Sequence, residues 1–310
     1  MPIFAPLVLL GQVTATVPDL SAAAAASPRP MECRAPVTAR DEKGSPWDSA
    51  RRPGLASYCR LLARGYARLS RSPGQALMAA EKADKALAGR APPKVLAARA
   101  LMASGQAAPA FERFQKALAV DPRAVRQPAA LHDYAVAAAL SGHDKIAADA
   151  YRRLVPRAGL LASDSERQLV YVEAALGVMR RGPDGVSEAI GYLTEARRRG
   201  APPGLSDIVL GALALALSRQ GRVDEARGVA AEAGASEGLA EWLRSPKRVA
   251  GRPRGVDAEL LAVVATLAEA DDPEAARDAW KDYLATPAGT SGPWREHAKK
   301  ELAAAGKRGR

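Results

Sequence analysis

Residues 110–122, with the sequence AFERFQKALAVDP, contain the clearest helical pattern in the chain. Ala110, Phe114 and Ala117 are spaced so that they share one face of an α-helix. The two small alanine side chains let a second helix approach closely, and the aromatic ring fills the space between neighbouring helices. Pro122 ends the helix, because proline lacks a backbone N–H and clashes with the preceding turn. The stretch therefore predicts a helix that packs in a pair.

The same three-position spacing recurs along the chain, and its first residues lie 34, 37, 42, 37 and 50 positions apart. The further copies are Ala76, Ala80 and Ala83; Ala147, Tyr151 and Leu154; Ala189, Leu193 and Ala196; Ala226, Ala230 and Ala233; and Ala276, Trp280 and Tyr283. Proline and glycine separate the helical stretches, and no stretch alternates apolar and polar residues as a strand would. With 70 alanines and only 14 aromatic residues, the chain is expected to be all-α.

This spacing resembles the second helix of a tetratricopeptide (TPR) repeat, a unit of roughly 34 residues made of two antiparallel helices. Gly142 and Gly221 precede Ala147 and Ala226 by the same offset, where the repeat commonly has its turn glycine. The resemblance implies a right-handed α-solenoid of antiparallel helix pairs, with about five to six repeats and a C-terminal capping helix. It assigns the packing between helices to Ala76, Ala110, Phe114, Ala117, Ala147, Tyr151, Ala189 and Ala226.

Composition divides the chain into five segments. They are an apolar leader or signal peptide (1–26), a flexible linker (27–46), a TPR-like array of helices (47–245), a basic linker (246–256), and a degenerate final repeat with a capping helix (257–306). Residues 245–255 contain four basic residues and four Pro or Gly residues, so the linker is expected to lie on the surface.

The first 15 residues are apolar over the length of a signal-peptide hydrophobic region and are too short to span a bilayer. Ala15 and Ala26 end short runs of small residues that a signal peptidase could cleave, although no Lys or Arg precedes Arg29. We therefore expect export to the periplasm or the medium, with no transmembrane span in the mature chain. The alternative is a cytoplasmic protein.

The chain has two cysteines, Cys33 and Cys59. In an exported protein they could form a disulfide that holds the N-terminal arm against the first helix. They could equally be separate thiols, with Cys59 acting as a small buried apolar residue.

Catalytic and metal-binding patterns are absent from the sequence. With three histidines and two cysteines, a metal site is not expected, and no glycine-rich phosphate loop or HExxH motif occurs. Ser236 lies in a formal G-x-S-x-G match, but that motif needs a preceding strand, and a helix is expected there instead. We predict that the protein is not an enzyme and that it uses no cofactor.

The net charge of +11 raises the question of nucleic-acid binding. The arginines are scattered over helix faces, however, and no aromatic residues are interleaved with the basic clusters to stack on bases. Nucleic acid is therefore an unlikely partner.

The resemblance to TPR proteins also implies a concave groove, lined by the first helix of each pair, that holds a peptide. The corresponding candidates mix arginines with apolar and tyrosine side chains, which would suit a peptide with acidic residues and apolar anchors. They are Tyr58, Arg68, Arg99, Met102, His132, Val136, Tyr171, Arg181, Leu215 and Arg219. The predicted function is a non-catalytic scaffold or adaptor of the bacterial cell envelope that binds another protein. The alternative is a cytoplasmic regulatory or RNA-associated helical protein that uses its basic patches.

Overall fold

The computed structural model describes residues 30–33, 54–202, 205–233, 253–269 and 271–308. Within these ranges the regular structure is entirely helical, with fourteen α-helices and no strand, so the prediction of an all-α fold is confirmed there. The helices are α1 (Leu55–Arg68), α2 (Pro73–Ala86), α3 (Ala91–Ala103), α4 (Ala107–Val120), α5 (Pro128–Leu140), α6 (Asp144–Leu154), α7 (Asp164–Met179), α8 (Val186–Arg199), α9 (Ser206–Arg219), α10 (Val223–Glu232), α11 (Asp257–Ala268), α12 (Pro273–Ala285), α13 (Pro287–Ser291) and α14 (Arg295–Arg308). Short 3₁₀ turns occur at Met31–Cys33, Val155–Leu160 and Pro183–Gly185.

Every helix packs against the helix that follows it in the chain. The odd-numbered helices also contact one another, α1 with α3, α3 with α5, α7 with α9, and α9 with α11. From α1 to α12 the helices therefore form two layers, one of odd-numbered helices that contact one another and one of even-numbered helices that pack on it, whereas α14 packs on α12 and α13.

The two layers follow from the sequence of each helix. Helices α5 and α9 have the sequences PAALHDYAVAAAL and SDIVLGALALALSR, which are apolar almost all round, and most of their residues are buried. Helix α6 instead buries one face, which contains Ala147, Ala150, Tyr151 and Leu154, and exposes charged residues on the other. An apolar surface on all sides requires neighbours on all sides, which α5 and α9 have inside the odd-numbered layer, whereas α1 buries only one face, with Tyr58, Leu62 and Gly65.

Glycine forms the turn between the helices of several pairs. Gly105, Gly142 and Gly221 follow α3, α5 and α9, and all three have a positive φ that other residues rarely adopt. The residue after each glycine donates its backbone N–H five residues back, as from Gln106 to the Leu101 carbonyl oxygen at 2.9 Å. This is the hydrogen bond of a glycine-terminated helix end, repeated at equivalent places.

The side chains to which the sequence analysis assigns helix packing are all buried. They are Ala76, Ala110, Phe114, Ala117, Ala147, Tyr151, Ala189 and Ala226. Apart from Ala76, which belongs to a smaller cluster around α1–α3, they lie in one apolar core that extends from α3 to α14.

Replacing Ala110 by tryptophan should lower the free energy of unfolding by roughly 1–3 kcal/mol, because the site is closely packed and the ring would force its neighbours apart. Ala110 is fully buried, whereas Ala108 on the same helix is exposed. The Ala108→Trp variant adds the same volume and should change the stability by less than about 0.5 kcal/mol. Urea denaturation measures both variants, and equal stabilities would contradict the packing assignment.

The N-terminal turn at residues 31–33 lies on α1. Cys33 forms a disulfide with Cys59, with their Cα atoms 5.6 Å apart. The Tyr58 hydroxyl donates a hydrogen bond to Glu32 at 3.0 Å. Of the two arrangements considered for the cysteines, the structure therefore contains the bridged one.

At the other end of the chain, α14 packs on α12 and α13. Trp294, just before α14, is buried, and its indole N–H donates to the carbonyl oxygen of Met179 at 2.6 Å. A contact across 115 positions thus fixes the C-terminal helices to the end of α7.

Part of the basic linker departs from its predicted place on the surface. Pro253, Gly255 and Val256 are buried, and a side chain at Gly255 would lie 2.8 Å from Ala139 on α5. The segment lies against α5 and α7, so its prediction as a surface linker is wrong for residues 253–256. The predicted leader 1–26, the linker 27–46 apart from residues 30–33, residues 246–252 and Ser236 lie outside the described residues.

Candidate functional site

Glu173, in the middle of α7, is the centre of a buried polar cluster. It pairs with His132 of α5, whose Nε2 donates to Oε2 because an ionised carboxylate only accepts. The Tyr151 hydroxyl donates to the same oxygen at 3.2 Å, and the backbone N–H of Arg254 donates to Oε1 at 2.8 Å. Side chains of α5 and α6 and the backbone of the 253–256 segment therefore bind one carboxylate of α7.

The partners of Glu173 stabilise the ionised form of its carboxyl group. Burial acts to raise its carboxyl pKa, but the interactions with His132 and Arg254 outweigh burial and lower the pKa below its ordinary value. Burial and the neighbouring carboxylate raise the pKa of the Tyr151 hydroxyl well above its ordinary value, so this hydroxyl keeps its proton and donates. Glu173 is therefore a buried carboxylate whose two oxygens both accept hydrogen bonds.

A second acidic residue extends the cluster towards α3. Asp133 accepts a hydrogen bond from Arg99 Nε at 2.8 Å, and the Arg254 guanidinium lies 3.7 Å from its other oxygen. Arg254 thus joins Asp133 to Glu173, one through its side chain and the other through its backbone.

Arg180 at the end of α7 organises a neighbouring group of charges. Its guanidinium donates to Glu259 Oε2 at 2.7 and 3.1 Å, to Asp144 at 3.0 Å and to the carbonyl oxygen of Gly255 at 2.9 Å. These bonds join α6, α7 and α11 to the 253–256 segment. A cavity of about 420 Å³ lies beside the group, and Arg180 and Glu259 line it together with Tyr283 and Trp294.

Arg219 lies behind this cavity, with its guanidinium 4.7 Å from the centre of the Trp294 ring. Burial lowers the pKa of Arg219, and the Tyr283 hydroxyl and Glu259 act against this. His297 packs edge-on against Trp294, and burial together with Arg219 lowers its imidazole pKa to about 4. His297 is therefore neutral at physiological pH.

The ten predicted groove positions are not gathered on one open surface. Seven of them are buried within the protein's own packing: Tyr58, Met102, His132, Val136, Tyr171, Leu215 and Arg219. Arg99 is mostly covered and is paired with Asp133, and only Arg68 and Arg181 are exposed. Part of the surface assigned to a ligand is thus covered by the chain itself: Glu32 bonds Tyr58, and the 253–256 segment lies against α5 and α7.

The acidic members of these clusters were not among the residues predicted from the sequence. Glu173 lies inside the apolar run VYVEAALGV of its helix, and Glu259 lies directly before the apolar run LLAVVATLA. A carboxylate in such a helix is enclosed with it and must be paired, so these two positions could have been identified as buried ions. Their partners could not, because Arg254 lies 81 positions from Glu173 and Arg180 lies 79 positions from Glu259.

In the described part of the chain, no group of three or more His, Cys, Asp or Glu side chains is arranged to hold a metal ion. None of the helices described has the length and apolar character needed to cross a membrane. No family model matches the chain, and no curated protein matches it.

Proposed function

We propose that the protein is a non-catalytic scaffold that binds another protein or peptide and that it acts in the bacterial cell envelope. Consecutive packing of helices, with the repeated glycine turns and small-residue contacts, supports a right-handed solenoid of about five to six TPR-like repeats. Such an array presents a large surface for its size, which suits binding rather than catalysis.

The observation that carries this proposal is the state of the buried polar residues. His132 and Tyr151 both donate hydrogen bonds to Glu173, and Arg180 is shared between two carboxylates. These residues, which by type could act as acid or base, are thus occupied in holding helices together. The surface is left to interact with a partner.

The disulfide between Cys33 and Cys59 supports an exported location. Disulfides persist in oxidising compartments and are rare in the cytosol, where thiols are kept reduced. The apolar leader of the sequence agrees with this location.

A photo-crosslinking residue at Arg68 or Arg181 tests partner binding, because these are the exposed positions of the predicted groove. Arg99 is unsuitable, since changing it would break its bond with Asp133. We expect a defined protein to be cross-linked at these two positions in cells. The controls are Glu112 on α4 and Arg227 on α10, which are exposed on the even-numbered layer.

Reproducible cross-links at the test positions, with few at Glu112 and Arg227, would support the scaffold. Equal labelling at all four positions, or no protein product at any of them, would count against it. A cross-linked RNA would favour the cytoplasmic, RNA-associated alternative.

A further inference from the structure

Four arginines gather at the C-terminal ends of two even-numbered helices. Arg123 and Arg126 lie in the turn after α4, and Arg153 and Arg157 lie at the end of α6 and in the 3₁₀ turn that follows. With Pro122 they line a surface pocket of about 560 Å³, which we call the arginine pocket. The lining contains no carboxylate.

These arginines differ from their neighbours on the surface. Arg152, next to Arg153, forms ion pairs with Glu188 at 2.7 Å and Asp149 at 3.0 Å. Arg197 pairs with Glu232 in the same way. Within the described ranges, by contrast, none of the four pocket arginines forms an ion pair with a carboxylate.

The pocket is partly organised by the backbone. Arg157 donates to the carbonyl oxygen of Arg126 at 2.7 Å, which joins its two sides. Asp121, two positions before Arg123 in the sequence, accepts a hydrogen bond from the backbone N–H of Arg123 at 2.8 Å and so stabilises the turn. The ends of α4 and α6 each carry only about half a negative charge, which is far less than the four positive charges gathered there.

Four guanidinium groups around one pocket repel each other, and an anion with several oxygens relieves that repulsion. Guanidinium forks donate paired hydrogen bonds that match the oxygens of phosphate, and a phosphate group can accept from more than one of them. Two exposed apolar side chains flank the pocket along the chain, Val120 with 44% and Leu160 with 70% of its surface exposed. A soluble phosphate compound and the headgroup of an anionic phospholipid both have a negatively charged phosphate group that can accept these hydrogen bonds.

We infer that the arginine pocket binds a phosphate group. This goes beyond the scaffold function and does not depend on it, because none of the predicted groove positions lines the pocket. The bound group is carried either by a soluble diphosphate or by an anionic lipid at a membrane surface.

The test compares R123E/R153E with a matched pair, R64E/R71E. Arg64 and Arg71 are exposed and lie in α1 and the turn after it, so the second pair changes the net charge equally away from the pocket. Calorimetric titration with pyrophosphate and co-sedimentation with phosphatidylglycerol vesicles measure the two sources. We expect R123E/R153E to weaken binding at least about tenfold, while R64E/R71E changes it less than about twofold.

Binding of pyrophosphate alone would assign a soluble ligand, and binding of vesicles alone would assign a lipid headgroup. The inference would be overturned if neither probe binds the unmodified protein or if both variant pairs lose binding equally. It would also be overturned if a heptaglutamate peptide, which has carboxylates and no phosphate, binds the pocket more tightly than either phosphate probe. Tighter binding of a uridine oligonucleotide would contradict the assignment to a diphosphate or a lipid and would place the phosphate in a nucleic acid. Circular dichroism melting checks that the variants fold, and R123Q/R153Q with its matched pair R64Q/R71Q replaces the charge-reversed pairs if R123E/R153E does not fold.

Discussion

Replacing Glu173 by glutamine should destabilise the folded protein by about 3–5 kcal/mol. Glutamine has nearly the same shape, so the helices can still pack. The change replaces the carboxylate that binds His132 Nε2 and the Arg254 backbone N–H with a neutral amide. These buried donors then lose a charged acceptor. Urea denaturation followed by circular dichroism measures the loss.

The control is Glu188→Gln, which removes the same charge from a partly exposed ion pair. Glu188 accepts hydrogen bonds from Arg152 on the surface, where water and salt screen the charges. Its loss should cost less than about 1 kcal/mol. If both variants were equally stable, the cluster around Glu173 would not be a stabilising feature of the fold.

The stability difference between the unmodified protein and Glu173→Gln should depend on pH, because the carboxyl pKa of Glu173 is lowered in the folded protein. A carboxyl whose pKa is lower in the folded than in the unfolded protein stabilises the fold above its ordinary pKa. That contribution is lost as the pH falls through the folded value. The difference in the free energy of unfolding between the unmodified protein and Glu173→Gln should therefore become smaller in acid. His297 has the same surroundings in both proteins, so its titration does not contribute to this difference.

Replacing both Cys33 and Cys59 by serine should lower the stability by about 3.5 kcal/mol. The disulfide joins residues 26 positions apart, and without it the unfolded chain gains conformational freedom. The turn at 31–33 would then be held on α1 by weaker contacts, chiefly the Glu32–Tyr58 hydrogen bond. Thermal and urea denaturation of the oxidised protein and the serine variant give the difference.

A reducing agent provides the internal control. It should lower the stability of the unmodified protein to about that of the serine variant, and it should leave the serine variant unchanged. Unchanged melting of the unmodified protein on reduction, with thiol titration showing two free cysteines, would contradict the stabilising role of the bridge.

Several local features of the fold could be predicted from sequence. The spacing of Ala110, Phe114 and Ala117 predicts a helix with one contact face, and α4 buries all three. Gly142 and Gly221 predict turns, because a positive φ is a property of a single residue and glycine adopts it without strain. Gly105 forms the same turn without having been singled out.

The surroundings of individual helix faces could not be predicted in this way. Spacing shows that His132 and Val136 share a side of α5, but it does not show what lies against that side. The 253–256 segment and α7 cover part of it, and both are distant in the chain. The interpretation of these positions as an open groove assumed that no such segment returns to the helices.

By itself, then, the sequence determined the all-α class, the helices with their small-residue faces and the glycine turns, because each depends on residues within about one or two helical turns. Only the tertiary structure decided which charges are buried and paired and which are left exposed. Glu173 is matched by Arg254 from 81 positions away, whereas Arg123 and Arg153 have no carboxylate partner among the described residues. The pairing of charges depends on distance in space, and in a stack of helices that distance is set by how the whole chain packs.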